Sequence, residues 1–275
     1  MRLPISVLVQ TKNEAAGIRQ CLASLEDFDE VIVVDSLSTD GTADLARMMG
    51  ASVVDFKWNG EYPKKKQWQL DNVSTRNRWV LFLDADESPS PQLISWLATA
   101  FASERLNVAA FDIRLDYVFS GRTLRHGHRV VKRALVDRNR VRFPEVDDLG
   151  APGMGELEGH YQPNVRGKVG AAGGRILHND LDPVRTWFDR HNRYSDWESY
   201  LRTRIMSRKA VAQSRSIQGR IFERVPFKPM AFFLWSYVVR AGFRDGRAGL
   251  DYAIALSMYY WQIELKVRER KRTGG

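Results

Sequence analysis

The regular alternation of short apolar runs with helical patterns in the first 103 residues most constrains how this chain can fold. The runs that indicate strands are 5–10, 30–36, 51–56 and 79–84. The segments with helical patterns are 14–25, 43–49, 64–73 and 91–103. Strands that take turns with helices build a mostly parallel sheet with helices on its faces. The chain is therefore predicted to have an α/β fold.

The pattern changes in the second half of the chain. A strand is predicted within 108–119, and further β-structure extends to about residue 143. Residues 144–174 are crowded with glycine and proline, which predicts a long irregular segment over the sheet edge. From Asp182 onward the sequence is helical and basic, without a flexible linker. We predict a unit of residues 1–181 followed by a helical extension, 182–275.

Charge and cysteine content narrow the class of protein. The net charge of +9 and the pI near 9.7 indicate an anionic partner. The single Cys21 excludes an internal disulfide framework and a cysteine metal site. The longest apolar stretch, Met230 to Val239, falls well short of the roughly 20 residues that cross a bilayer as a helix. We therefore expect a cytoplasmic protein without a transmembrane span.

Polar side chains follow three of the predicted strands at the point where each strand ends. These are Thr11 to Glu14, Asp35, and Asp84 to Asp86. Parallel sheets bind ligands at the carboxyl ends of their strands, so these groups are expected to meet at one rim. Two aspartates flanking Ala85 offer hard oxygen ligands of the kind that Mg²⁺ or Mn²⁺ prefers. The alternative is that residues 86–90 only cap the next helix.

The segments TKNE at 11–14, VVDSLSTDGT at 33–42 and LDADE at 83–87 together resemble the family 2 glycosyltransferases. In the second half, RGKVG at 166–170 and ILHND at 176–180 resemble the branch that contains bacterial lipopolysaccharide-core glucosyltransferases. The resemblance implies a GT-A type, Rossmann-like fold and an inverting transfer of a sugar from a nucleotide-diphosphate donor, with UDP the first candidate. It also implies an acceptor that is a glycan or a lipid-linked molecule of the cell envelope.

The resemblance assigns the donor site residue by residue. Asp35 matches the acid that binds the nucleotide base, and Asp84, Ala85 and Asp86 match the motif that binds the diphosphate and a metal, Mg²⁺ or Mn²⁺, with Asp86 the direct ligand. The nucleotide-contacting loop is matched by Thr11, Asn13 and Glu14. Lys66 lies where the family has a basic residue in a Gln-Lys/Arg-Asn motif. This chain has KKQW there, so Lys66 either contacts a phosphate or belongs to a solvated lysine run.

An inverting displacement needs a general base that takes the proton of the acceptor hydroxyl. The resemblance places this base shortly before RGKVG, where Glu158 is the first candidate, Glu156 the second, and Asp147 and Asp148 more remote ones. His178 either completes the metal site with Asp86 and Asp84, contacts the diphosphate, or is structural. The other histidines are assigned to a hairpin (His126 and His128), to the loop around Glu158 (His160) and to a helix at a solvent or interface position (His191).

The C-terminal third interleaves aromatic and basic residues, from Phe222 and Arg224 to Tyr260 and Trp261. No RNA-binding fingerprint accompanies them, so nucleic acid is not an expected partner. Amphipathic helices in the lipid headgroup region explain the pattern, which would make the protein peripheral on the inner face of the cytoplasmic membrane. Packing against the catalytic unit, or against a second subunit in a homo-oligomer, is the alternative.

Three other functions make different predictions from this one. A nucleotidyltransferase would open with a glycine-rich G-x-G-x-R loop and a dinucleotide-binding oxidoreductase with G-x-G-x-x-G, and TKNEAAG is neither. A membrane-peripheral protein that kept the fold and lost catalysis would bind nucleotide without transferring a sugar.

Overall fold

A computed structural model describes residues 2–102, 106–159, 161–204 and 225–273 of the chain. Nine strands form one sheet: β1 (Leu3–Thr11), β2 (Phe28–Asp35), β3 (Ser52–Asp55), β4 (Trp79–Asp84), β5 (Glu87–Pro89), β6 (Ala110–Phe119), β7 (Arg122–Thr123), β8 (Val130–Asp137) and β11 (Val169–His178). A separate two-stranded ribbon joins β9 (Val141–Arg142) and β10 (Asn164–Val165).

Helices cover the sheet and form the C-terminal part. They are α1 (Ile18–Ala23), α2 (Thr42–Met48), α3 (Lys65–Asn72), α4 (Pro91–Ala102), α5 (Val184–Thr203), α6 (Lys228–Phe233) and α7 (Gly246–Thr273). A π-helical turn, Leu234–Val239, and a 3₁₀ turn, Gly242–Asp245, join α6 to α7. The predicted α/β class and the C-terminal helix are confirmed.

The strand order explains why the predicted site residues meet. The sheet runs β3-β2-β1-β4-β8-β6-β11-β5, and β7 pairs with β6. Six strands point in the same direction, and β5, β7 and β8 run against them. The carboxyl ends of β1, β2, β4, β6 and β11 therefore share one edge with the amino end of β8.

The sheet is buried on both faces because β1 and β4 alternate their side chains between two apolar layers. Odd-numbered residues such as Val7 and Leu81 pack with α1 and α4, whereas even-numbered ones such as Leu8 and Phe82 pack with α3 and α5. Trp197 of α5 is fully buried in the second layer. This double packing holds the carboxyl edge rigidly.

The prediction that residues 144–174 are irregular is wrong at its C-terminal end. β11 begins at Val169 and lies inside the sheet, parallel to β6 and antiparallel to β5. Its glycines are needed because α4 crosses the strand closely. A Cβ atom at Gly173 would lie 2.4 Å from Trp96 Cδ1, and one at Gly174 would lie 2.4 Å from the Leu93 backbone nitrogen.

The C-terminal helices pack on each other and on the sheet. α5 and α7 lie together, and Lys266 of α7 pairs with Asp196 of α5 at 2.6 Å. His191 of α5 stacks on Trp187, with ring centroids 3.6 Å apart, and contacts Tyr259 of α7. Within the described ranges, no helix combines the length and the apolar character needed to cross a membrane. The division at residue 181 stays a prediction.

Candidate active site

Asp35 ends β2 and is held by the neighbouring chain segments. Its buried carboxylate accepts hydrogen bonds from Thr11 Oγ1 at the end of β1 (2.7 Å), from the Ser38 backbone N–H (2.7 Å) and from Ser38 Oγ (2.5 Å). The two bonds from Ser38 show that Asp35 also caps the turn that follows β2. Oδ1 accepts both hydroxyls and Oδ2 accepts only the Ser38 N–H, so Oδ2 has capacity for a further hydrogen bond from a ligand N–H.

The loops after β1 and β2 are tied to each other. Asn13 donates its N–H to Ser38 Oγ and accepts the Thr39 N–H, each at 2.8 Å. The N–H of Glu14 donates to Thr42 Oγ1 at 2.8 Å. Asn13 takes a left-handed conformation, φ 59°, which asparagine tolerates better than most residues. The predicted nucleotide loop is thus a preformed structure.

The three lysines at the start of α3 have different environments. Lys64 is buried and pairs with Asp148 at 2.9 Å. Lys65 is buried and donates to Ser36 Oγ (2.6 Å) and the Thr11 carbonyl (3.0 Å). Burial lowers the Lys65 pKa to about 8. In the described part of the chain, the Lys66 ammonium has neither a hydrogen bond nor an ion pair, so it is the lysine available to an anion.

The two candidate bases lie on the loop that covers α3. Glu156 accepts a short hydrogen bond from Ser36 Oγ and lies 3.8 Å from Lys65 Nζ. Glu158 is buried, and its Oε1 accepts the N–H groups of Lys66 (2.8 Å) and Gln67 (3.0 Å), which caps α3. Its Oε2 is buried without a hydrogen-bond partner among the described residues, and burial raises the Glu158 pKa.

Asp147 and Asp148, the more remote candidates for the general base, lie earlier in the chain and have other environments than the two glutamates. Asp148 is fully engaged by Lys64, by the Tyr62 hydroxyl at 2.5 Å and by Trp197 Nε1 at 2.7 Å, which makes it a buried structural acid. Asp147 has φ 54° in the same loop.

Three residues named in the sequence predictions lie outside the described residues. They are Phe222 and Arg224 of the aromatic and basic C-terminal segment, and His160.

Asp86, His178 and Asp180 come together at the carboxyl edge. One ligand atom from each lies within 4.8 Å of the others, and His178 Nδ1 is 3.4 Å from Asp86 Oδ1. Both of these atoms are buried and lack a hydrogen-bond partner among the residues described. Burial, with Asp84 and Glu87 nearby, raises the Asp86 pKa to about 6. Two buried ligand atoms at this distance form an ion pair when His178 is protonated, and when it is neutral they fit a metal cation.

Asp84 is not part of this three-residue cluster. The Lys132 ammonium on β8 donates to Asp84 Oδ2 at 2.9 Å and to Glu87 Oε2 at 2.6 Å. Burial opposes the charged form of Asp84, but Lys132 and then Lys66 hold its pKa well below the ordinary value. Ala85 is buried between the two aspartates. Asp84 thus faces the rim as a paired carboxylate, while Asp86 remains free to coordinate.

Glu14 lies beside the metal cluster. Burial and the nearby Asp86 carboxylate raise the Glu14 pKa to about 7. The charge at this rim is partly balanced by Arg190 of α5, which pairs closely with Asp180 and lies 3.5 Å from Asp182.

Sequence reasoning missed Lys65, Lys132 and Asp180. Asp180 had a signal, because ILHND places a carboxylate two residues after His178 at a strand end. Lys132 had none, because its contact with Asp84 depends on β8 lying next to β4. Lys65 was passed over within the run of three lysines, where burial distinguishes it from Lys66.

Comparison with known proteins gives several matches. The sequence profile described as "Glycosyl transferase family 2" matches residues 6–169. The lipopolysaccharide core biosynthesis glycosyltransferase LpsC of Rhizobium meliloti is 27% identical over 280 residues, which cover 98% of this chain and 93% of LpsC. An uncharacterized glycosyltransferase of Rickettsia bellii is 40% identical over 113 residues, 40% of this chain, and the match spans only 37% of that relative's length.

Among solved structures, S. aureus TarS 1-349 in complex with UDP-GlcNAc aligns with a TM-score of 0.47 and 18% identity, covering 100% of this chain and 92% of TarS 1-349. The profile match includes all three N-terminal motifs that carry the resemblance and extends to the first residue of β11. Since it covers more than half of the chain, the protein belongs to glycosyl transferase family 2.

Proposed function

We propose that the protein is an inverting, metal-dependent glycosyltransferase that moves a sugar from a UDP-sugar to a glycan or lipid-linked acceptor of the bacterial cell envelope. The observation that carries this proposal is the pair of orphaned ligand atoms, Asp86 Oδ1 and His178 Nδ1, 3.4 Å apart at the sheet edge where Asp35 also lies. A family 2 donor site needs a base-binding acid and a diphosphate-binding rim at one edge, and Asp35 and the Asp84 to Asp86 segment are the residues proposed for these roles.

The donor would lie along this edge. Asp35 would accept an N–H of the uracil-type base, and Thr11, Asn13 and Glu14 would line the nucleoside. Lys66, whose ammonium has no partner among the residues that the structure describes, would contact a phosphate oxygen. The donor set of two carboxylates and one imidazole fits Mg²⁺ or Mn²⁺, which would stabilise negative charge on the departing diphosphate.

Glu158 is the proposed general base, with Glu156 second. One oxygen of Glu158 is fixed by two backbone N–H groups and the other is unpartnered, so the carboxylate is oriented and still able to accept a proton. The acceptor oxygen would attack the anomeric carbon and form the new C–O bond, the bond to the diphosphate would break, and the hydroxyl proton would pass to Glu158. A raised pKa improves a carboxylate as a base near neutral pH.

Donor cleavage tests this assignment. The protein is incubated with UDP-glucose, UDP-galactose or UDP-GlcNAc, with Mn²⁺, Mg²⁺ or a chelator, and released UDP is measured. Metal-dependent release that falls about a hundredfold or more in Asp86→Asn is expected. The control, Asp44→Asn, changes an exposed acid on α2 and should behave as wild type. Release that survives in Asp86→Asn would contradict the metal site.

The cell-envelope acceptor and the membrane location are part of the proposal. LpsC, similar over nearly the whole chain, is named for lipopolysaccharide core biosynthesis. The outer face of α7 exposes a stripe at helical spacing, Ile254, Met258, Trp261 and Leu265, with exposed Arg247, Arg268 and Arg272 at its ends. Residues 225–273 hold nine Lys or Arg against four Asp or Glu. An apolar stripe with cationic ends fits an anionic lipid surface.

The second candidate is a nucleotide-binding protein of the same fold without transferase activity. The capping role of Glu158 is the observation in its favour, since a helix cap needs no catalysis to explain it. This candidate predicts metal-dependent UDP binding together with no UDP release from any donor.

A further inference from the structure

A cleft at the carboxyl edge of the sheet is lined by basic and aromatic side chains that the donor site does not use. It lies between β6, the loop from β7 to β8, β11 and α7. Its main lining side chains are Arg114, Arg125, Arg129, Arg175, Tyr117 and Tyr252. The aromatic rings of Tyr117 and Tyr252 lie side by side, with centroids 6.2 Å apart.

The cleft borders the metal cluster directly. Tyr117 of β6 pairs in register with His178 of β11, and the centroids of the two rings are 4.6 Å apart. A molecule seated against Tyr117 would therefore be next to the group that is expected to hold the metal and the diphosphate. This is the position that an acceptor must occupy.

The positive charge of the cleft is mostly uncompensated. Arg175 is paired with Asp116, at 2.8 and 3.0 Å. By contrast, Arg114, Arg125 and Arg129 are exposed, and their guanidinium groups have no hydrogen bond or ion pair within the described ranges. His128 Nδ1, also in the lining, is buried and has no hydrogen-bond partner among described residues.

The loop that carries these groups is held in place by the C-terminal segment. Asp245 accepts the backbone N–H groups of Arg125 (3.0 Å) and His126 (2.8 Å) and lies 2.9 Å from His126 Nδ1. The Gly127 N–H donates to the Arg240 carbonyl at 2.9 Å. A loop fixed through four contacts presents its arginines at defined positions, as a binding site requires.

We propose that this cleft is the acceptor site and that the acceptor carries an anionic group, a phosphate or a carboxylate, close to the sugar that receives the transferred residue. The guanidinium fork binds both groups in a bidentate manner, and the partly exposed ring of Tyr117 offers apolar surface to a sugar ring. The inference rests on the proposed function and adds the substrate class to it.

Sugar binding to the UDP- and Mn²⁺-saturated protein tests the proposal. Glucose 6-phosphate, glucuronate and glucose are titrated in parallel by ligand-detected NMR, so that the phosphate and carboxylate arms are separate. At least one anionic sugar should bind while glucose does not. The variant Arg114→Gln/Arg129→Gln should weaken that binding by about tenfold or more, because two charge-assisted contacts are removed. Arg142→Gln is the control, since Arg142 is an exposed arginine on β9 outside the cleft.

UDP is titrated first into each variant. This titration separates failure of the proposed donor site from failure of the proposed acceptor site. If UDP does not bind, the proposed donor site fails, and the sugars are then titrated without it to judge the cleft alone. If neither anionic sugar binds, if glucose binds equally well, or if the double variant keeps wild-type affinity, the anionic acceptor site is rejected.

Discussion

Glu158 combines two possible roles that a single substitution can separate. Glutamine at 158 retains an oxygen that accepts the Lys66 and Gln67 N–H groups, so Glu158→Gln should fold with wild-type stability. Because the glutamine amide cannot take up a proton, the rate of UDP release in the presence of acceptor should fall by about 10²-fold or more. Glu158→Ala should also lose the cap, about 1 kcal/mol of unfolding free energy. Unchanged turnover in Glu158→Gln, measured beside Glu156→Gln, would leave Glu158 a cap only.

Lys65 should make stability depend on pH in a defined window. Burial lowers its pKa in the folded protein to about 8, below the ordinary 10.5. Between these values the unfolded chain binds more protons, so the Lys65 contribution to the free energy of unfolding rises with pH. The difference in unfolding free energy, wild type minus Lys65→Met, should increase from pH 8 to 10. A difference that is constant or decreases, measured by urea unfolding, would contradict the burial of a charged Lys65.

The site residues that could be predicted are those with a local signal. Asp86 lies two residues after β4 and His178 is the last residue of β11, each in a motif of its own, and the structure brings their ligand atoms within 3.4 Å. The pairing of Asp84 with Lys132 joins residues 48 positions apart on strands that are adjacent only in the folded sheet. No local pattern contains that information, and only the family resemblance singled out Asp86 over Asp84 as the direct metal ligand.

Among the elements, β11 is the one whose amino-acid composition led to a wrong prediction, because its glycines serve the packing of a helix on a strand. Its glycines indicated a loop, yet they allow α4 to cross the strand. Gly174 has φ 113° and its Cβ position is occupied by the Leu93 backbone, so Gly174→Ala should destabilise the protein by about 3 kcal/mol or more. Gly50→Ala, at φ 84° with open space around it, should cost only about 1 kcal/mol. Equal losses in thermal or urea unfolding would contradict this packing of α4 on β11.

The alternation of strands and helices up to α4 was predictable because each element has its own hydrophobic period. The order of strands was not, since β8 enters between β4 and β6 against their direction. That insertion places Lys132 beside Asp84 and the loop before β8 near the cluster of Asp86, His178 and Asp180. The cleft proposed as the acceptor site therefore had no signature in the sequence, although its arginines were visible one by one.

For the whole molecule, the exposed stripe on α7 predicts binding to anionic lipid. The protein should cosediment with phosphatidylcholine vesicles that contain phosphatidylglycerol, and less with pure phosphatidylcholine. Trp261→Glu/Leu265→Glu should reduce this binding by about tenfold or more, because it puts charge into the apolar face. Met48→Glu, at an exposed apolar site on α2, is the control. Unchanged vesicle binding, or a dimer in gel filtration that the double variant abolishes, would assign the stripe another role.

Asp86 and His178 are proposed to hold a metal that the donor diphosphate shares. Calorimetric titration of UDP into the purified protein, with Mn²⁺ or with a chelator, should reveal this metal when wild type, Asp86→Asn and the control Asp44→Asn are compared. We predict Mn²⁺-dependent binding in wild type and control that is lost in Asp86→Asn. UDP binding that is equal with and without metal, or that Asp86→Asn retains, would contradict the account.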